Sequence, residues 1–276
     1  MSPALDLTIA IPVKNEEKNL SRCLAAIGTD LARHVVVIDS NSTDSTREIA
    51  KNFKTEIVNF VWDGKFPKKR NWFLRNHTPE TKWVMFLDAD EYVTEDFKKE
   101  LRERLSCDDD KVGYWLNFTV YFLGKKMKGG YPLRKLALFQ VGAGEYEQVD
   151  ETEWSTLDME VHEHPMLQGS TGSIKSKIEH QDFRCMSHYI RKHNEYASWE
   201  AARFLNSLKE PTASSQWTWK QRIKYGLFRS IFVGPAFFFG SYFFLGGFRD
   251  GAHGFAVAVL KMSYFMQVYC QIREKK

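Results

Sequence analysis

The sequence predicts an α/β chain built on a mixed, mainly parallel, Rossmann-like sheet flanked by helices. Three observations lead to this. Short β-branched apolar runs alternate with amphipathic stretches through the N-terminal part of the chain. Each run gives way to a polar turn carrying Asn or Asp. A chain of 276 residues with 43% apolar content also has enough material for one large core.

Leu7 to Val13 is an apolar run of buried-strand character, closed by Lys14-Asn15-Glu16-Glu17. Leu20, Cys23, Leu24 and Ile27 then recur at the spacing of one helical stripe, and Gly28 can end that helix. Val35 to Ile38 is a second buried strand ending at Asp39. Ser45-Thr46-Arg47-Glu48 has capping-box spacing for a second helix. Glu56 to Phe60 is a third strand, and Lys68 to Arg75 opens a helix over the sheet. The most apolar strand, Trp83 to Leu87, stops at Asp88-Ala89-Asp90; Thr94 caps a helix carrying Phe97, Leu101 and Leu105. Such a strand-helix rhythm means parallel pairing, with ligands outside the carboxyl ends of the strands. From Val112 the pattern changes to longer strands, 112–122 and 136–139, suited to antiparallel pairing, with Gly129-Gly130 between them. A helix rich in His, Tyr and Trp is expected over 188–208.

Charge and composition set limits on partners. The net charge of +4 is too small to indicate nucleic acid. It is unevenly spread: residues 219–276 hold nine basic residues against two acids. Within them, Ile231 to Phe248 contains no charge, and Gly234-Pro235, Gly240 and Gly246-Gly247 interrupt it. A span needs about 20 apolar residues, so a re-entrant or surface-lying hairpin is the expectation, with a buried helical pair as the bland alternative. The basic flanks favour an anionic membrane surface. Cys23, Cys107, Cys185 and Cys270 form no CxxC pair, which argues against a zinc site or a disulfide framework. No signal-peptide pattern is seen in Met1 to Asp6, so a cytoplasmic location with peripheral or monotopic membrane association is expected.

Candidate chemistry gathers at the strand ends. Asp88 and Asp90 flank the small Ala89, a spacing that suits Mg²⁺ or Mn²⁺ bridging a diphosphate. Asp39 can accept from a base N–H, with Asn15 and Glu16 closing the neighbouring strand. Glu163, Glu160, Asp150 and Glu151 are candidates for a general base, His162 for a hydrogen-bond partner orienting Glu163, and His180 for the diphosphate or the metal. No GxxxxGK[ST] loop is present, which sets aside a nucleotidyltransferase of that type.

Ile11 to Glu17, Val37 to Thr46, Lys69-Arg70-Asn71 and Phe86 to Glu91 together resemble the nucleotide-sugar half of family 2 glycosyltransferases. The His162-Glu163 segment resembles the subgroup with the lipopolysaccharide core β-glucosyltransferases. This resemblance implies a GT-A fold, an inverting mechanism and a nucleotide-sugar donor, most simply a UDP-sugar. It implies donor contacts from Pro12, Asn15, Glu16, Asp39, Lys69, Arg70, Asn71, Asp88 and Arg134, with Asp39 near the base and Asp88 near the ribose. Asp90 falls on the metal, joined by Asp88 or His180, and Glu163 becomes the base. Many relatives carry Arg where this chain has Ala137; Arg134 and Lys135 lie close enough to substitute. The implied organisation is a catalytic region over 1–180 and a helical acceptor and membrane region over 181–276. The acceptor is then a glycan or glycolipid hydroxyl at the inner face of the membrane. A polyprenyl phosphate acceptor, or a non-catalytic nucleotide-sugar-binding scaffold, are the alternatives.

Overall fold

The computed structural model describes residues 3–107, 109–148, 164–181, 185–209 and 219–275. The chain divides into two compact units, 1–121 with 133–183, and 122–132 with 184–276. In chain order the strands are β1 (Leu5–Val13), β2 (Ala32–Asp39), β3 (Glu56–Asn59), β4 (Trp83–Phe86), β5 (Glu91–Tyr92), β6 (Lys111–Phe122), β7 (Lys125–Lys126), β8 (Arg134–Gln140), β9 (Gly144–Tyr146), β10 (Pro165–Leu167) and β11 (Ser170–His180). The helices are α1 (Leu20–Ile27), α2 (Thr46–Asn52), α3 (Lys69–Asn76), α4 (Glu95–Ser106), α5 (Met186–Ser207), α6 (Trp219–Leu227), α7 (Val233–Phe239) and α8 (Ala252–Glu274).

In the first unit the main sheet runs β3-β2-β1-β4-β8-β6-β11-β5. Its first four strands are parallel, with Val13 opposite Asp39 and Ala10 opposite Phe86. The antiparallel pairing expected after residue 112 is present, since β8 runs against both β4 and β6. Alternation along β1 decides how the two faces are covered. Ile9, Ile11 and Val13 join Leu24, Ile27, Phe97 and Leu101 of α1 and α4 on one face. Ala10 joins Val36, Ile38, Phe86 and Phe73 of α3 on the other. Both faces of the parallel strands are therefore covered by apolar side chains, which leaves the strand ends to present polar groups to a ligand.

Two helix starts test the capping expectations. Thr94 Oγ1 accepts from Phe97 N–H at 3.2 Å, as its sequence position predicts. Ser45 sits at the start of α2 but its side chain makes no cap bond, so the capping-box reading is corrected. Asp44 replaces it, with Oδ1 accepting from Thr46 N–H at 3.0 Å. The neighbouring loop decided this: Glu17 accepts from Ser45 N–H across the chain at 3.1 Å.

The second unit packs α5 and α8 around Ala197, Ala201, Phe204, Phe228, Phe265 and Val268. Residues 231–248 form no single span. They fold as α7, one π turn over Gly240–Phe244 and a 3-10 turn over Gly247–Asp250, reversed through the left-handed Gly246. The one described helix long and apolar enough to cross a membrane lies downstream, at α8. Length and composition alone pass that test, and Tyr264, Phe265, Val268 and Ile272 of α8 are core residues.

Candidate active site

The β3-β2-β1-β4 order brings the carboxyl ends of β2, β1 and β4 side by side, and the predicted residues there meet. Pro12 is buried opposite Ile38. Asn15 takes a left-handed backbone at φ 57°. Its N–H donates to Ser42 Oγ at 2.9 Å, and its Oδ1 accepts from Thr43 N–H at 2.8 Å. Glu16 N–H donates to Thr46 Oγ1 at 2.7 Å, so the loops after β1 and β2 are laced into one rim.

Asp39 is buried on this rim and engaged within the chain. Its oxygens accept from Ser42 N–H and from the Ser42 hydroxyl, and Arg47 Nη1 donates to Oδ2 at 2.8 Å. The first turn of α3 supplies the next layer. Lys69 is buried with Nζ 3.4 Å from Val13 O. Asn71 clasps the backbone of Tyr146, donating to its carbonyl at 2.9 Å and accepting from its N–H at 2.8 Å. That clasp is structural work, since it anchors β9 onto α3.

Beside these lies a charge cluster that the motifs only partly foretell. Asp88 Oδ1 accepts from Arg70 Nη2 at 2.9 Å and Oδ2 from Lys135 Nζ at 2.5 Å. Lys135 also reaches Glu91 Oε1 at 2.5 Å, and Glu91 Oε2 accepts from Asp88 N–H at 3.0 Å. Burial alone would raise the Asp88 carboxyl; the adjacent Lys135 and Arg70 outweigh it and hold it far below the usual carboxylate range. For Glu91 burial wins and the carboxyl is raised, although Lys135 pulls the other way. Glu91 lies in a two-residue strand paired with β11, opposite His180. That register places His180 Nε2 at 3.2 Å from Asp90 Oδ2. Burial works to lower the His180 pKa, but the Asp90 hydrogen bond and the charges of Asp90 and Glu91 raise it above its ordinary value.

Arg70 and Lys135 thus balance Asp88 and Glu91 inside the chain, while Asp90 meets an imidazole. Two ligands about 2.1 Å from one cation at right angles stand about 3 Å apart, so the Asp90–His180 separation fits a shared ion. Among the described residues no group of three or more His, Cys, Asp or Glu side chains is gathered to hold a metal. The pair would need further oxygen donors from a substrate or water.

Arg134 stands apart from this cluster, with Nη2 3.3 Å from Ser173 Oγ and its guanidinium over Trp115. Lys135, named in the sequence only as a substitute for the missing Arg, is the residue that reaches Asp88. Glu91 closes the segment that carries the family resemblance, but the sequence gives it no role of its own. The available signal was a third acid directly after Asp88-Ala89-Asp90. Asp150, Glu151, Glu160, His162 and Glu163 lie outside the described residues.

Residues 8–139 match the model of Glycosyl transferase family 2. The whole chain is 25% identical to the lipopolysaccharide core biosynthesis glycosyltransferase LpsC of Rhizobium meliloti (strain 1021), covering 94% of that protein. It is 34% identical to the SPbeta prophage-derived glycosyltransferase SunS of Bacillus subtilis (strain 168) over 34% of this chain and 22% of SunS. Among solved structures, glucosyl-3-phosphoglycerate synthase from Mycobacterium tuberculosis, in complex with Mn²⁺, UDP and phosphoglyceric acid, aligns over 70% of this chain and 76% of that one at a TM-score of 0.43 and 14% identity. TarS of S. aureus aligns over 72% of this chain and 40% of its own at 0.41 and 16%. The matched segment contains the parallel β1–β4 core and both aspartates of the Asp88-Ala89-Asp90 turn, so residues 8–139 carry the glycosyl transferase family 2 domain of a glycosyltransferase.

Proposed function

We propose that the chain moves a hexose, with inversion, from a UDP-sugar to a hydroxyl of a lipopolysaccharide-core type glycan or glycolipid at the inner face of the membrane. The observation that carries the reaction is the Asp90–His180 pair, 3.2 Å apart, beside an Asp88 already matched by Arg70 and Lys135. The likeness to LpsC along the whole chain supports the acceptor class.

Asp90 and His180 would hold the divalent cation, and their mixed oxygen and nitrogen set favours Mn²⁺ over Mg²⁺. When bound, the ion supplies counter-charge for the diphosphate leaving group. Arg70 and Lys135 keep Asp88 ionised and fixed, ready to accept from the ribose hydroxyls. Lys69 and the rim formed by Asn15, Glu16 and Asp39 border the nucleotide. Glu163 takes the proton of the acceptor hydroxyl as the new C1–O bond forms and the bond to the diphosphate breaks.

The test is nucleotide release from UDP-hexoses with Mn²⁺, with and without core glycolipid. Asp90→Ala abolishes transfer with the fold retained by circular dichroism. Glu163→Gln keeps donor binding and loses transfer. Undiminished turnover in chelator, or by the folded Asp90 variant, would overturn the metal role; normal turnover of the Glu163 variant would move the base elsewhere.

A further inference from the structure

The second unit carries an apolar surface that the reaction does not use. Phe232 is 70% exposed, Phe244 88%, and Phe239, Phe243, Phe248 and Phe255 are each half-exposed or more. Phe232 precedes α7 at its N-cap and the others fall on α7, the π turn, the 3-10 turn and the start of α8, so one reversing stretch displays all six. Scattered surface apolars are ordinary in proteins, but phenylalanines recurring along one hairpin mark an interaction site.

Its electrostatics come from elsewhere in the sequence. Residues 122–132 leave the first unit between β6 and β8 and belong to the second unit. They dock on the hairpin through backbone groups. Gly130 N–H donates to Leu245 O at 2.9 Å, and Lys125 Nζ to Asp250 O at 3.0 Å. Asp250 accepts from Lys128 N–H at 3.0 Å and from Gly129 N–H at 2.9 Å. A Cβ at Gly129 would lie 2.1 Å from Gly246 O, so the two segments touch too closely for any side chain there. This docking holds Lys125, Lys126 and Lys128, all exposed, in a segment bonded to the 3-10 turn that carries Phe248 and Arg249. Leu123, 68% exposed, adds another apolar group. Asp250, the one acid between Lys220 and Glu274, is buried and spent on these amides, so residues 122–132 and 231–255 present cations and aromatics with no exposed carboxylate of their own.

We infer that residues 122–132 and 231–255 form one composite surface that binds an anionic lipid bilayer, with the phenylalanines entering the acyl boundary and Lys125, Lys126, Lys128 and Arg249 meeting the headgroups. Charge complementarity chooses the occupant: a second copy of the chain would bring the same cations against this face. The inference deepens the membrane-side acceptor proposed above.

The experiment is flotation of the full chain, without sugar donor, on vesicles of phosphatidylcholine alone and of phosphatidylcholine with phosphatidylglycerol. Binding to the anionic vesicles that weakens with salt is expected. Lys125→Gln with Lys126→Gln lowers partition by about 25-fold on anionic vesicles, at roughly fivefold per charge. Phe243→Ser with Phe244→Ser lowers it by at least about 100-fold. Both variants keep the circular dichroism spectrum of the parent. No binding, or binding indifferent to both substitutions, overturns the inference. So does concentration-dependent self-association in the ultracentrifuge that the phenylalanine substitutions abolish while vesicles stay unbound. A chain that binds vesicles but turns over no donor refutes the proposed reaction alone.

Discussion

Lys135→Met probes the charge cluster directly. Nζ lies 2.5 Å from Asp88 Oδ2 and 2.5 Å from Glu91 Oε1, and Glu91 is 1% exposed. Arg70, 2.9 Å from Asp88, is untouched by the substitution, so the loss falls mainly on Glu91. Removing one partner of a buried pair costs about 3–5 kcal/mol, and the partial exposure of Lys135 sets the expectation at the lower end, about 3 kcal/mol. At a urea slope of about 2 kcal/mol/M this lowers the midpoint by about 1.5 M. The deficit also has a sign in pH. Burial raises the Glu91 carboxyl in the folded chain, and Lys135 restrains that rise. A raised carboxyl binds its proton more tightly folded than unfolded, so stability falls as pH climbs from the unfolded to the folded pKa. Without Lys135 the rise is larger and the fall deeper. The variant's deficit therefore widens from the ordinary glutamate range, about 4.3, toward neutrality. Asp88 adds to it with the same sign. Its folded pKa is depressed, so its pairing stabilises above the unfolded pKa and is lost in acid. Urea titrations at acid and neutral pH read both quantities. A deficit below about 1 kcal/mol, or one flat in pH, would show a solvated cluster and refute the reasoning.

Other consequences are simpler to state. Asp250→Ala leaves the amides of Lys128 and Gly129 without their acceptor, costing about 2 kcal/mol and speeding their hydrogen exchange; unchanged exchange would mean that the two segments stay docked by other means. Thr94→Ala removes the cap of α4 and destabilises by about 1 kcal/mol, while Thr94→Ser restores most of it. Ser45→Ala, by contrast, is near neutral in urea, because that side chain makes no cap bond; a loss as large as that of Thr94→Ala would reinstate the capping box.

The sequence by itself determined the α/β rhythm, the cap at Thr94 and the placing of Asp39 and Asp88 at strand ends. Those features are local: apolar period, turn chemistry and the residue after a strand depend on neighbours in the chain. Tertiary structure alone decided which charges meet. Lys135 reaches Asp88 because β8 lies antiparallel beside β4, and His180 reaches Asp90 because β11 pairs with β5. Neither pairing follows from spacing, since strands 47 and 90 residues apart in sequence carry no local mark of their partner. The basic loop 122–132 makes the same point. Nothing local in the sequence marks its lysines, and hydrogen bonds to Leu245 and Asp250 alone tie them to the phenylalanine-bearing hairpin.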